Sequence, residues 1–125
     1  MERMRRKYGN KKAKASGKVF DSRRERSRYY TLQVLEKAGE ISDLRMQVPF
    51  EIIPAVYETV EVQLKTKTKQ VQKLVQRAAH YVADFVYKDK DGNMVVEDSK
   101  GFRTKEYLLK KKMMRAFLGI TIKEV

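Results

Sequence analysis

Apolar residues recur at helical spacing in two stretches of the chain. The pattern predicts a first helix over residues 22–38, where Ser22 and Glu25 have the S-x-x-E spacing of a capping box and Gly39 suits the position after the last turn. A second helix is predicted over residues 104–117 and ends at a glycine. Its predicted inward residues are Leu108, Leu109, Met113, Ala116 and Phe117.

Between the helices the apolar residues alternate with polar ones, which is typical of strands. Residues 41–47 and 50–53 predict two short strands interrupted at Pro49, and residues 56–64 predict a partly exposed strand. The run 65–80 fits a helix or a strand, and we favour a strand.

Two further apolar runs, YVADFVY and MVV, flank the turn KDKDGN. Gly92 suits the left-handed third position of a three-residue loop, residues 90–92. That loop places Asp84 opposite Asp98 on the paired strand, whereas a two-residue loop would place Asp84 opposite Ser99. The register of this hairpin therefore decides whether two carboxylates meet.

A last strand over residues 120–125 completes the order α-β-β-β-β-α-β, an α/β fold in which a sheet is flanked by helices. The 125 residues suffice for one domain, predicted over residues 18–125. The chain has no cysteine, which excludes disulfides and zinc–thiolate sites and is compatible with a reducing cytoplasm. No apolar run is long enough for a membrane span, so we expect a cytoplasmic protein without a membrane partner.

The net charge of +13 points to a polyanionic partner, and nucleic acid is the first candidate. Residues 1–28 hold 12 Lys/Arg against 3 Asp/Glu, so residues 1–17 are interpreted as a flexible basic arm. A phosphate-binding role is favoured for the arm, and a purely solubilising role is the alternative.

Two opposed carboxylates destabilise a strand pair unless a cation lies between them. Asp84 and Asp98 would bind Mg²⁺, with Mn²⁺ able to substitute, and the Ser99 carbonyl could add an oxygen ligand. Lys100 shares a face with Asp98 and would orient the attacking water or stabilise charge on a phosphodiester undergoing cleavage. A surface hairpin with scattered charges is the alternative, because 36% of the chain is charged.

Glu25 has two interpretations of equal weight from spacing alone. It caps the first helix as the third residue of the capping box, or its carboxylate reaches the sheet as a third acid of the site.

Together these residues resemble the PD-(D/E)XK nuclease superfamily. The segments VADFVY, VVEDSKGF and GITIKEV are similar to a family of small phage-encoded proteins assigned to that superfamily and related to phage-type Holliday junction endonucleases. The resemblance covers residues 7–125 and implies a restriction-endonuclease-like fold with a central mixed sheet. It also implies a metal-dependent DNA endonuclease, structure-specific for branched DNA, that acts in phage recombination or DNA processing in the host cytoplasm.

The resemblance assigns metal binding to Asp84 and Asp98, the catalytic lysine to Lys100 and the first-helix acid to Glu25. Gln47 matches a glutamine that helps to place the site in such nucleases, although it could be an ordinary polar strand residue. The chain departs from the superfamily pattern in having Ala83 before Asp84 and Asp98 in place of Glu. This leaves Glu97 open as the second ligand, although the hairpin register favours Asp98.

A branched substrate implies a homodimer, since two symmetric nicks need two sites. Residues 54–77 could then serve as a dimer arm or as a DNA clamp. The candidate DNA-binding residues are all cationic: Arg5, Arg6, Lys11, Lys12, Arg23, Arg24, Lys65, Lys67, Lys69, Arg103 and Lys105.

The rival hypothesis is a non-enzymatic nucleic-acid-binding protein, in which the acids are ordinary hairpin charges. Both hypotheses predict an affinity for DNA that falls with salt. Only the nuclease predicts a metal site that is lost when Asp84 or Asp98 is replaced by asparagine.

Overall fold

A computed structural model describes residues 13–15, 18–20 and 22–125. The elements are β1 Ala13–Ala15, β2 Lys18–Phe20, α1 Arg23–Lys37, β3 Ser42–Ile53, β4 Val56–Gln63, β5 Thr68–Gln76, β6 Ala79–Lys88, β7 Met94–Asp98, α2 Lys105–Leu118 and β8 Lys123–Glu124. The α/β class is confirmed, and so is the general order of helix, strands, helix and last strand, but five strands lie between the helices where four were predicted. Of the predicted basic arm, residues 13–15 form β1, which pairs with β2, and the rest lies outside the described residues.

Both predicted helices are present, and their ends follow local capping rules. The Ser22 hydroxyl accepts a hydrogen bond from the Glu25 amide at 3.1 Å, and Gly39 follows α1 with φ +78°. Thr104 caps α2 in the same way, and Gly119 ends it with φ +68°. In the described part of the chain, no helix is long and apolar enough to cross a membrane.

The main sheet has the strand order β3-β6-β7-β8, antiparallel except for the parallel pair β7 and β8. The predicted interruption at Pro49 is wrong, because β3 runs through it and Pro49 lies opposite Val82. β3 is an edge strand of this sheet, where a residue without an N–H group is tolerated.

The β6–β7 hairpin has the predicted three-residue loop. The Asp89 amide donates to the Asn93 carbonyl at 2.9 Å, and Gly92 has φ +84°. Phe85 pairs with Glu97, so the same register carried one step further sets Asp84 against Asp98.

The sheet has a core on each face, one under α1 and one under α2. In a regular strand, residues two apart share a face, but β3 and β6 both change faces near the middle of the sheet. The residues that pack on the α1 side are Leu44, Met46, Phe85 and Tyr87. Those on the α2 side are Val48, Phe50, Tyr81 and Ala83. Gln47 lies at the change of face in β3 and has a left-handed φ of +51°, which re-aims the strand there.

The predicted inward face of α2 is wrong except at Met113, which packs against the core. Tyr107 and Met114 are the buried residues, whereas Leu109 and Phe117 are 58% and 61% exposed. The prediction followed the more numerous apolar residues, but the sheet contacts the narrower stripe of Tyr107 and Met114.

The predicted strand within residues 65–80 is confirmed as β5. β4 and β5 form a separate two-stranded sheet, here called the β4–β5 ribbon. Nearly all of its side chains are exposed.

Candidate active site

Asp84 and Asp98 lie side by side on the adjacent strands β6 and β7. Asp98 is 1% exposed, and Asp84 is half-buried with its carboxyl next to that of Asp98. The Ser99 amide donates to Oδ2 of Asp84 at 2.9 Å, which fixes this carboxyl against the end of β7. The hairpin register thus has the predicted consequence.

The two oxygens of Asp98 have different surroundings. Oδ2 accepts a hydrogen bond from the Tyr81 hydroxyl. Oδ1 lies 3.2 Å from Nζ of Lys100, an ion pair by distance, but the angle does not make a hydrogen bond, so this buried oxygen has no hydrogen-bond partner. The ammonium group also lies 4.6 Å from the centre of the Tyr107 ring, which restricts Lys100 to the rim of the site.

Gln47 links α1 to the sheet. Its side-chain amide nitrogen donates to Oε1 of Glu25 at 2.8 Å and lies 3.3 Å from Oδ1 of Asp84. Glu25 is 3% exposed, so its carboxylate reaches the sheet while its backbone amide serves the cap. The carboxylate of Glu25 thus has the position of the second interpretation, while its backbone amide takes part in the cap.

The structure brings all the predicted residues of the centre together. They are Glu25, Gln47, Asp84, Asp98, Ser99 and Lys100.

The pKa of Asp84 is raised to about 8, mainly by burial, next by the neighbouring Asp98 carboxyl and to a smaller extent by Glu25. The hydrogen bond from the Ser99 amide opposes this by favouring the charged form. Burial and the Asp98 carboxylate also raise the pKa of the Tyr81 hydroxyl, which therefore stays a donor. Without a cation, Asp84 therefore keeps its proton near neutral pH.

Glu97 lies on the opposite face, towards α1. Its two oxygens accept from Arg28 at 2.8 and 2.7 Å, and the Tyr87 hydroxyl also donates to it. This network occupies the whole carboxylate, so Asp98, not Glu97, is the acid at the site.

Three side chains of this region were missed from the sequence. Tyr81 reaches Asp98 only because β6 changes face before Asp84, which simple alternation does not predict. Tyr107 and Arg28 come from the two helices, and no local pattern ties them to the hairpin.

The donor set suits a hard divalent cation. Within the described residues, no group of three or more acidic or histidine side chains is arranged to enclose a metal. Mg²⁺ needs fewer protein ligands, because it binds through one or two carboxylates and keeps several waters. A cation bound here would give the buried Oδ1 of Asp98 a partner and would offset the raised pKa of Asp84. Glu25 is held beside this pair by the amide of Gln47.

The candidate DNA-binding cations are spread over several elements. Arg24 at the start of α1 binds the Val125 carbonyl, and Arg103 pairs with Glu124 at 2.7 Å. Arg23 and Lys105 are exposed at the starts of the two helices, and Lys65, Lys67 and Lys69 lie at the tip of the β4–β5 ribbon. The predicted residues Arg5, Arg6, Lys11 and Lys12 lie outside the described residues.

Comparison with known proteins assigns a family to the chain. A family model described as "Protein of unknown function (DUF1064)" matches residues 5–120. No curated protein and no solved structure matches the chain significantly. The chain therefore belongs to the DUF1064 family.

Proposed function

We propose that this member of the DUF1064 family is a divalent-metal-dependent DNA endonuclease. The observation that carries the proposal is the pair of adjacent carboxyls, half-buried Asp84 and fully buried Asp98, with Lys100 ion-paired to Asp98 at 3.2 Å. Burying two adjacent carboxylates costs free energy, and a function for the pair explains why the fold keeps them there. The net charge of +13 supports a polyanionic substrate.

The residues of the site divide the work. Asp84 and Asp98 would hold Mg²⁺ or Mn²⁺, and a bound ion would polarise the phosphate and activate water. Lys100, kept in place by the Tyr107 ring, faces the region where negative charge develops on the phosphate. Gln47 and Glu25 would orient Asp84 and the attacking water from the α1 side.

The finer assignment is to the PD-(D/E)XK superfamily, with a branched DNA substrate, a homodimer and a role in phage recombination. It rests on the resemblance of the motifs. An acid on the first helix beside an acid–acid–lysine set on a hairpin, in a mixed sheet between two helices, supports it.

The test is cleavage of a labelled four-way junction and of a linear duplex of the same sequence, in Mg²⁺, in Mn²⁺ and in chelator. We expect metal-dependent nicking that prefers the junction and falls at least about 100-fold in Asp98→Asn. The matched control is Asp91→Asn, which removes an exposed carboxylate from the hairpin loop and should leave nicking unchanged.

Junction binding is measured in parallel in chelator, and both variants should retain it. Tight binding without cleavage in either metal would contradict the nuclease and support the non-enzymatic binding protein. Nicking without preference for the junction would support the nuclease but not the branched substrate.

A further inference from the structure

The β4–β5 ribbon extends the β3–β6 pair away from the sheet. β3 is followed by β4 after Pro54 and Ala55, and β5 leads back into β6 after Arg77 and Ala78. Within the described residues, β4 and β5 pair only with each other. The eight residues of β4 make the ribbon about 27 Å long.

Towards the tip of the ribbon, one face is made mostly of amides and hydroxyls and is here called the Gln/Thr face. At the base of the same face Tyr57 lies opposite Leu74. Directly opposed residues share a face, so the register places Thr59 opposite Gln72 and Gln63 opposite Thr68. The Thr59 hydroxyl accepts from the Gln72 amide at 2.9 Å. Gln70 lies on this face too, and Glu61 is its single charged residue.

The tip of the ribbon is cationic. The Leu64 amide donates to the Lys67 carbonyl at 2.8 Å and closes the tip around Lys65 and Thr66. Lys65, Lys67 and Lys69 are all exposed.

An isolated two-stranded sheet with both faces in water is only marginally stable, which indicates that a partner covers this one. The major groove of duplex DNA admits a two-stranded β-ribbon. Glutamine and threonine are side chains that hydrogen-bond to base edges there, and lysines bind the phosphates along the groove.

We propose that the β4–β5 ribbon enters the major groove of a duplex arm of the substrate. The Gln/Thr face meets the base edges, and the three tip lysines contact phosphates. Because the bound molecule is DNA, this role rests on the proposed function, but it does not require the metal site.

A second copy of the chain fits the ribbon less well. The face opposite the Gln/Thr face carries Val60, Val62 and Val71, together with Lys69, Lys73 and Glu58. In a two-fold dimer this face meets itself, so two faces that each hold two lysines against one glutamate would bring like net charge together.

The first test is binding to a linear duplex and to a single strand of the same length, in chelator, at several salt concentrations. The tip variant is Lys65→Ser/Lys67→Ser/Lys69→Ser. The control variant, Lys37→Ser/Lys88→Ser/Lys90→Ser, removes the same charge at the opposite end of the sheet, where Ser42 pairs with Lys88.

We expect the tip variant to lose at least about 10-fold in duplex affinity and to lower the salt dependence by about two to three counterions. The control variant should lose about threefold or less, and the tip substitutions should affect the single strand much less than the duplex. An equal loss in both variants would overturn the proposal.

The second test is protection of guanine N7, which lies in the major groove, from methylation. The wild type should protect one patch of the duplex, and Gln70→Ala/Gln72→Ala should abolish that protection. Unchanged protection would overturn the groove assignment. Conversion of a dimer into a monomer by the tip variant, seen by sedimentation without DNA, would make the ribbon a self-association element instead.

All of these measurements are made without metal. If the protein proves not to be a nuclease, the result on DNA binding by the ribbon therefore remains valid. If the ribbon does not bind DNA, metal-dependent nicking is still tested separately.

Discussion

Gln47 donates a hydrogen bond of 2.8 Å to Glu25 from a backbone that is left-handed, with φ +51°. A side chain with a Cβ in this conformation costs about 1–2 kcal/mol. Strain of this kind is found where a structure needs a side chain in one place, and Gln47 joins α1 to Asp84. The strained backbone and the amide bridge therefore belong to the same feature.

Replacing Gln47 separates the two contributions. Both Gln47→Ala and Gln47→Gly lose the amide, but only glycine relieves the strain. We expect the glycine variant to be more stable than the alanine variant by about 1 kcal/mol in urea unfolding. At Arg45, an exposed residue of the same strand without a positive φ, the order should be the usual one, with alanine more stable. The same order at both positions would contradict strain at Gln47.

The Arg28–Glu97 pair braces α1 against β7 behind the site. Arg28→Met leaves a fully buried carboxylate without its cation, so we expect a loss of about 3 kcal/mol in the free energy of unfolding. Glu97→Gln should destabilise the wild type but stabilise the Arg28→Met variant, because it removes the unpaired charge. Urea unfolding of the wild type, the two single variants and the double variant measures whether the effect of Glu97→Gln on stability changes sign.

The exposed pair Lys90 and Glu40 is the control for that cycle. Lys90→Met should change stability by less than about 1 kcal/mol. Additive effects of the Arg28 and Glu97 substitutions would show that the two side chains do not interact.

The buried stripe of α2 predicts opposite outcomes for two apolar residues. Met114 is 0% exposed, so Met114→Ala should cost about 2–5 kcal/mol. Leu109 is 58% exposed, so Leu109→Ala should change stability by no more than about 0.5 kcal/mol. Thermal or urea unfolding measures both losses of stability. A larger loss in Leu109→Ala than in Met114→Ala would support the inward face that was predicted from the sequence.

The features that could be predicted from the sequence are those with local causes. Ser22 and Gly39 specify the ends of α1 through their own hydrogen bonds and dihedral angles. Gly92 specifies the loop, the loop fixes the register, and the register brings Asp84 to Asp98. The centre of the site is thus encoded within one hairpin.

The features that could not be predicted depend on contacts between distant segments. The change of face at Gln47 arises from a left-handed residue that is not glycine, and no local signal marks it. Tyr81 joins the site as a consequence of that change. The orientation of α2 depends on which of its residues pack against the sheet. Tyr107 and Met114 do so, although other positions of the helix are more apolar.

Lys100 separates metal binding from chemistry. Lys100→Met removes a cation 3.2 Å from Asp98, so the affinity for Mg²⁺ or Mn²⁺, measured by calorimetry, should stay equal or increase. Nicking should fall at least about 100-fold, because the charge that develops on the phosphate loses its partner. Lys110→Met, which removes an α2 lysine paired with Glu106, is the matched control and should change neither. Loss of metal affinity in Lys100→Met would assign Lys100 to holding the carboxylates instead.

The raised pKa of Asp84 makes the metal-free protein less stable as the pH rises. An unfolded aspartate releases its proton near pH 4, whereas burial and Asp98 keep the folded one protonated up to about pH 8. The folded state therefore binds more protons in this window, and the free energy of unfolding falls with rising pH. Asp84→Asn removes the penalty, so in chelator its stability relative to the wild type should grow by at least about 1 kcal/mol between pH 5 and pH 8. Asp91→Asn should run parallel to the wild type, and Mg²⁺ at pH 8 should stabilise the wild type but not Asp84→Asn. A constant difference between Asp84→Asn and the wild type across this range would contradict the raised pKa of Asp84.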